Sequence, residues 1–302
     1  MDETSNNSPT VSRPNKSSDI QSYKPADDLP DKPIIVIEAR RRSLAVNLRD
    51  LWQFRDLFYI LTLRDIKVRY KQTALGILWV IIQPLFMMII FTVLFGRFAA
   101  MPSDGIPYPI FFYSGLLPWI FFSASVNNSG NSLVGNSSLI TKVYFPRMII
   151  PIAAVGSGLI DFAVSFGLLV ILMLYYGIGF SVNILMLPPL TFLTALLAAS
   201  VGLGVSALNV KYRDVRHALP FLIQVWMFVT PVIYPSSLIP EKWRWLSKIN
   251  PLSGLIEAYR SAIFGKPFDF LSLSISIIVI FVLLIYSVRT FRQMERSFAD
   301  II

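Results

Sequence analysis

The strongest constraint on this chain is where its charges are not. Almost uncharged apolar stretches fall at about residues 74–95, 109–126, 148–176, 186–210 and 270–288, with a shorter one at 219–234, and the charged residues gather between them. A helix needs about 20 such residues to cross roughly 30 Å of hydrocarbon, so each long stretch predicts a membrane crossing. A soluble chain of 302 residues would divide into domains with charged surfaces, which a chain 54% hydrophobic and 15% charged cannot supply. The expected fold is an all-α integral membrane protein with six transmembrane helices spread over residues 73–296 and a short tail at 297–302.

The segments between the spans carry the organisation. Residues 1–45 begin rich in Ser, Asn, Pro and charge and bury too little apolar area to offset the entropy of ordering, which predicts a disordered cytoplasmic tail with no apolar signal segment. From 46 to 72 the period becomes helical. Leu51, Phe54, Phe58 and Leu61 fall on one side, and Gln53, Asp56, Arg64, Lys67 and Lys71 on the other. That pattern predicts an amphipathic helix in the membrane interface.

The first span contains Gln83-Pro84, which kinks a helix that its neighbours must re-satisfy. The second is dense in aromatics and is expected to end in NNSGNSLVGNSS, a polar connection outside the membrane. The third holds Asp161, the only acidic residue deep in any span. It is either a functional group or a hydrogen-bonding partner for a neighbouring helix. The fourth carries Ala198, Gly202 and Ser206 at four-residue spacing, a small-residue ridge for close helix packing. Residues 235–269 are neither properly apolar nor soluble, and two short, partly inserted helices are expected there. Of the 27 Lys and Arg, 21 fall before the first span, in the loops after the second and fourth, or after the sixth, which places both termini in the cytoplasm.

The chemistry of most enzymes is missing. The sequence has no phosphate-binding loop, no HExxH, no GxSxG, no cysteine and one histidine, His217. No cofactor is expected on the chain, and if it moves something against a gradient the energy must come from a partner or an ion. Basic residues border the apolar spans, which fits lipid headgroups rather than nucleic acid despite the net charge of +9.

Five stretches in order, RDIKVRYKQTALGILWVIIQPL, GLLPWIFF, SSLITKVYFPRMIIP, KYRDVRH and INPLSGLIEAYR, resemble the membrane subunit of bacterial ABC exporters for O-antigen, capsule or teichoic-acid polysaccharides. The resemblance covers about residues 50–296. It implies a homodimer in the inner membrane, two copies of a separate cytoplasmic ATPase that holds ATP and Mg, and a path for a lipid-linked glycan. It further implies an interface helix bearing Arg64, Lys67, Arg69, Tyr70 and Lys71. ATPase-coupling elements fall at Leu139, Ile140, Lys142, Tyr144 and Phe145, and at Lys211, Tyr212, Arg213, Asp214, Arg216 and His217. The short helices between the fifth and sixth crossings, with Trp243, Trp245 and Tyr259, are identified by this likeness as an extracytoplasmic gate.

Sugars stack their C–H faces on aromatic rings, so a glycan path would draw on Tyr113, Trp119, Phe121 and Phe122 of the second span and Trp226, Phe228 and Tyr234 of the fifth. Aromatics at span ends also form ordinary interfacial belts. A drug or small-lipid exporter of the same architecture, or an ion-coupled carrier built on Asp161, are the competing readings.

Overall fold

The computed structural model describes residues 52–71, 75–143, 145–295 and 298, and the expected tail at 1–45 lies outside them. Among the described residues there are helices and no strands. The helices are α1 (Arg55–Lys71), α2 (Leu78–Phe91, continued by a π-helical turn Thr92–Phe98), α3 (Tyr108–Gly135), α4 (Ser137–Lys142), α5 (Ile149–Tyr175), α6 (Leu187–Lys211, preceded by a 3-10 turn), α7 (Val215–Val229), α8 (Glu241–Ile249), α9 (Pro251–Phe264) and α10 (Phe270–Glu295). Five of them, α2, α3, α5, α6 and α10, are long and apolar enough to cross a membrane.

The shorter fifth stretch folds as α7, which stops at Val229, five residues before the expected end. Its 15 residues rise about 22 Å, short of the hydrocarbon thickness. The chain continues through Thr230, Pro231, Val232 and Ile233 as a buried, non-helical corner.

The bundle is centred on α3, which packs most extensively against α6 and α5. The expected polar connection after residue 126 is instead helix through Gly135, making α3 28 residues and about 42 Å long. The reason is visible in its side chains. Asn127 and Asn131 donate to the carbonyls of Ser123 and Asn127, at 3.1 and 2.9 Å, four residues back along the same helix. Polar groups satisfied by their own helix do not need water.

The small residues of this stretch are packing surface. Ala198 and Ser206 of α6 are fully buried and Gly202 sits against Ser129, where an added Cβ would lie 2.3 Å from its Oγ and 2.6 Å from its Cβ. Asn209 completes the seam by donating to Gly130 O at 2.9 Å. Gly202→Ala should therefore destabilise the fold by about 2 kcal/mol, the usual scale of overpacking. Adding Ser129→Gly should return most of that loss in thermal unfolding of the purified protein. A neutral Gly202→Ala would show that the helices slide apart freely.

Candidate functional site

Chain direction sorts the loops into two ends. At one end lie α4, the segment 145–148 and the loop 211–217, and the C-terminal end of α10 joins them, because Arg147 Nη1 donates to Glu295 O at 2.8 Å. At the other end lie the loop before α3, α8, α9 and the start of α10.

At the first end, α4 closes a turn of helix between α3 and α5. Ile140 and Phe145 are buried in a cluster with Leu61, Leu133 and Met148, Leu139 packs against it and Lys142 is exposed. Tyr144 lies outside the described residues. The loop between α6 and α7 is the opposite in character. Lys211, Tyr212, Arg213, Asp214, Arg216 and His217 are all exposed, with the Lys211 ammonium 5.1 Å from the Tyr212 ring centre. This end thus offers a basic, water-facing surface on a buried apolar base.

α1 joins the same end to the bundle. Phe54 and Phe58 are half-buried and Leu61 is 4% exposed, while Gln53, Asp56, Lys67 and Lys71 face outward, so the apolar stripe of the sequence is the packed face; Leu51 lies outside the described residues. That face rests on α5: Thr62 Oγ1 donates to Ala153 O at 3.4 Å, and Arg69 Nη2 donates to Ser157 Oγ at 3.4 Å. Arg64 is paired with its neighbour Asp65 at 2.8 Å.

Asp161 is where α1 ends its contact. One carboxylate oxygen accepts from Arg69 Nη1 and the other from the Tyr70 hydroxyl. Burial and its bond to Asp161 push the Tyr70 hydroxyl up to about 12, so it is a donor at any physiological pH. The side chains of Arg69 and Asp161 are 31% and 22% exposed, between a surface and a buried pair. The lone acid of the third span is thus engaged by two side chains of α1. Nothing in the sequence near 161 signals a partner 92 residues away.

The predicted aromatics divide by helix. Tyr113, Phe121 and Phe122 are 0–3% exposed and Trp119 is 4% exposed, all enclosed by helices of the same chain. Tyr113 donates to Ser165 O at 2.8 Å, and Phe121 packs on Phe162 at 5.3 Å. These four therefore pack within the core of the chain. On α7, by contrast, aromatic side chains are accessible, with Phe228 57% and Phe221 66% exposed. Trp226 is half-buried, edge-on to Phe122 at 5.1 Å, and Tyr234 is half-buried, its hydroxyl 3.1 Å from Phe228 O.

At the second end the two short helices are present, as α8 and α9. Trp243 and Trp245 are exposed on α8, and Tyr259 is fully buried in α9 with its hydroxyl 2.9 Å from Thr191 Oγ1. Two residues that sequence reasoning passed over hold them. Asn250 caps α9 by accepting from Leu252 N at 3.2 Å, donates to Thr230 Oγ1 at 2.9 Å and accepts from Trp226 Nε1 at 3.1 Å. Arg260 is 7% exposed and donates from Nη1 to Pro231 O at 2.9 Å and from Nη2 to Val232 O at 2.7 Å. An Asn-Pro step opening a helix and an arginine inside an apolar one were the available signals.

A model of the ABC-2 type transporters matches residues 56–264, from the start of α1 to the end of α9. The chain belongs to the ABC-2 type transporter family. It is 31% identical over 217 residues to the O-antigen export system permease protein RfbA of Myxococcus xanthus, covering 71% of this chain and 82% of that one. It is 30% identical over 248 residues to the protein of the same name from Klebsiella pneumoniae, covering 82% and 95%. It is 26% identical over 208 residues to the polysialic acid transport protein KpsM of Escherichia coli, covering 67% and 79%. This ABC-2 chain is therefore a multi-pass membrane subunit of a transporter, and the family places ATP hydrolysis on a separate protein.

Proposed function

We propose that the chain is the membrane subunit of an ATP-driven exporter of a lipid-linked polysaccharide in a bacterial inner membrane. The similarity to export permeases for O-antigen and polysialic acid over 67–82% of the chain carries this reading. On it, two copies of the chain and two copies of an ATPase assemble, ATP and Mg sit on the ATPase, and both termini and the first end described above are cytoplasmic. The exposed loop 211–217 and α4 are the ATPase-docking elements, their charge giving specificity and their apolar base giving rigidity. The exposed aromatic face of α7, with Phe221 and Phe228, lines the glycan path, the rings of α3 supporting it from behind.

α1 is the connection between the two. Lying on α5 and ending in the Arg69, Tyr70 and Asp161 cluster, it can carry a displacement of the ATPase into the bundle through a charged contact rather than through slack apolar packing.

The reading is tested by co-expressing the chain with its ATPase in cells that have lost the native gene, scoring surface polysaccharide and ATP hydrolysis by the purified complex. Arg213→Ala with Arg216→Ala should lower both by roughly tenfold, as expected for two interface charges worth about 0.7 kcal/mol each. Assembly of the chain in the membrane should be unchanged. Full stimulation by the double variant would remove the loop from the docking surface, and surface polysaccharide that persists without the chain would overturn the export reading itself.

A further inference from the structure

A pocket of about 540 Å³ opens at the second end of the molecule, between the loop before α3, the turn before α8, and the facing parts of α8, α9 and the start of α10. Its size falls within the range of about 300–1,000 Å³ common to small-molecule sites. Its lining is mixed in charge. Arg244, Lys248, Arg260 and Lys266 contribute to it, and so do Asp104, Glu257 and Asp269, interspersed with serines.

These opposite charges act on one another through space, Arg260 on Glu257 and Lys248 on Asp269, but none of them closes an ion pair inside the pocket. The ion pairs found among the described residues all lie elsewhere or, as with Arg244 and Glu241 at 3.7 Å, take a partner from outside the pocket. Local bonds hold the acids in place. Asp269 accepts from Ser272 Oγ at 2.6 Å and from the backbone of Leu271 and Ser272 at the start of α10, and these bonds, led by the Ser272 hydroxyl, hold its carboxyl below the usual range. Asp104 accepts from Ser237 Oγ at 3.1 Å, and Lys266 Nζ donates to the Asp104 backbone oxygen at 3.3 Å rather than to its carboxylate. Two nearly enclosed members of the lining, Arg260 at 7% and Ser253 at 2% exposed, each keep a polar atom without a partner, Nε and Oγ.

The chemistry of the lining selects the occupant. A small anion would meet three carboxylates, a metal or organic cation would meet four basic groups, and an apolar ligand would leave both sets unpaired. A polyhydroxylated ring satisfies both, because every hydroxyl both donates and accepts. We propose that this pocket is a carbohydrate subsite that holds a sugar unit of the glycan beside the two short helices, apart from the aromatic face of α7. The proposal rests on the polysaccharide-export reading. Because α8, α9 and the loops at 104 and 266 all contribute groups, an occupied subsite ties these segments together, so the emerging chain acts directly on their arrangement.

Saturation-transfer NMR on the full transporter complex in lipid nanodiscs tests it, with methyl glycosides of a hexose, an N-acetylhexosamine and a hexuronate as probes and inorganic phosphate as competitor. At least one glycoside should receive saturation. Ser247→Trp, which fills the pocket from the half-buried face of α8, should abolish the signal while leaving basal ATP hydrolysis unchanged. Glu257→Gln should weaken binding by about tenfold, the scale of one charge-assisted hydrogen bond. The subsite is overturned if no glycoside receives saturation, if the signal survives Ser247→Trp, or if phosphate displaces the sugar. Surface polysaccharide in cells lacking the chain is scored in parallel: its loss with no glycoside binding sinks the subsite alone, and its persistence sinks the export reading.

Discussion

Reversing either charge of the Arg69 and Asp161 pair should uncouple the transporter, and reversing both should restore it. Arg69→Asp or Asp161→Arg replaces an attraction with a repulsion at a site only a fifth to a third exposed. A pair midway between surface and interior is worth about 2 kcal/mol, which corresponds to a loss of roughly 30-fold in stimulated ATP hydrolysis and export. The double reversal re-forms the pair with α1 and α5 exchanging charge, and it forfeits the Tyr70 hydrogen bond to Asp161 and the longer Arg69 bond to Ser157. Activity recovering to within about tenfold of the parent is the expected result, the remaining deficit being chiefly one charge-assisted hydrogen bond of about 1.5 kcal/mol. An ion-coupled carrier behaves differently. If Asp161 bound the transported ion, an arginine there would be inactive whatever stood at position 69. Failure of the double reversal in a well-assembled complex would favour that alternative.

The sequence made the helices and their order legible because charge interruptions mark where the chain must leave hydrocarbon. It did not reveal which helix faces pack together, and the reason is physical. In water, a buried face is apolar and an exposed face polar, so periodicity marks the core. In a membrane both surroundings are apolar, and Phe122 in the core and Phe228 on the outside of α7 are written in the same residue type. Small residues carry the information instead. The ridge at Ala198, Gly202 and Ser206 was readable, and its counterpart around Ser129 and Gly130 was hidden because asparagine, serine and glycine in one run look like a loop. Asn127 and Asn131 spaced four apart, each able to bond its own helix, were the overlooked sign that α3 continued. The candidate site was legible where residues act alone, as in the exposed 211–217 loop, and obscure where they act across the chain, as at Asp161 and Arg260.

Arg260→Met should give the largest loss of stability among single substitutions at the second end. The guanidinium is closely packed on its inner side: its Cζ is 3.8 Å from the Phe111 ring centre, and an added Cβ on Gly115 would come 2.7 Å from Nη2. Its two donors hold the carbonyls of Pro231 and Val232, in the corner where α7 gives out and the chain turns toward α8. Tyr108 secures the next carbonyl, Ile233 O, at 2.9 Å. Methionine keeps most of the volume and removes both bonds, leaving two buried acceptors unsatisfied at about 1–3 kcal/mol each. The sum, about 4 kcal/mol, should appear as a lowered unfolding temperature, at about 2–4 °C for each kcal/mol in a chain of this size. Arg260→Lys should fall in between, because an ammonium keeps the charge but cannot span two carbonyls in one plane while stacking on an aromatic ring. Limited proteolysis gives a second readout, since a released corner should make the segment 230–250 cleavable in both variants before global unfolding. Equal stability of parent and Arg260→Met would mean that desolvating the guanidinium cancels its bonds, as happens for some buried charges. The corner would then be held by Tyr108, Asn250 and apolar packing alone.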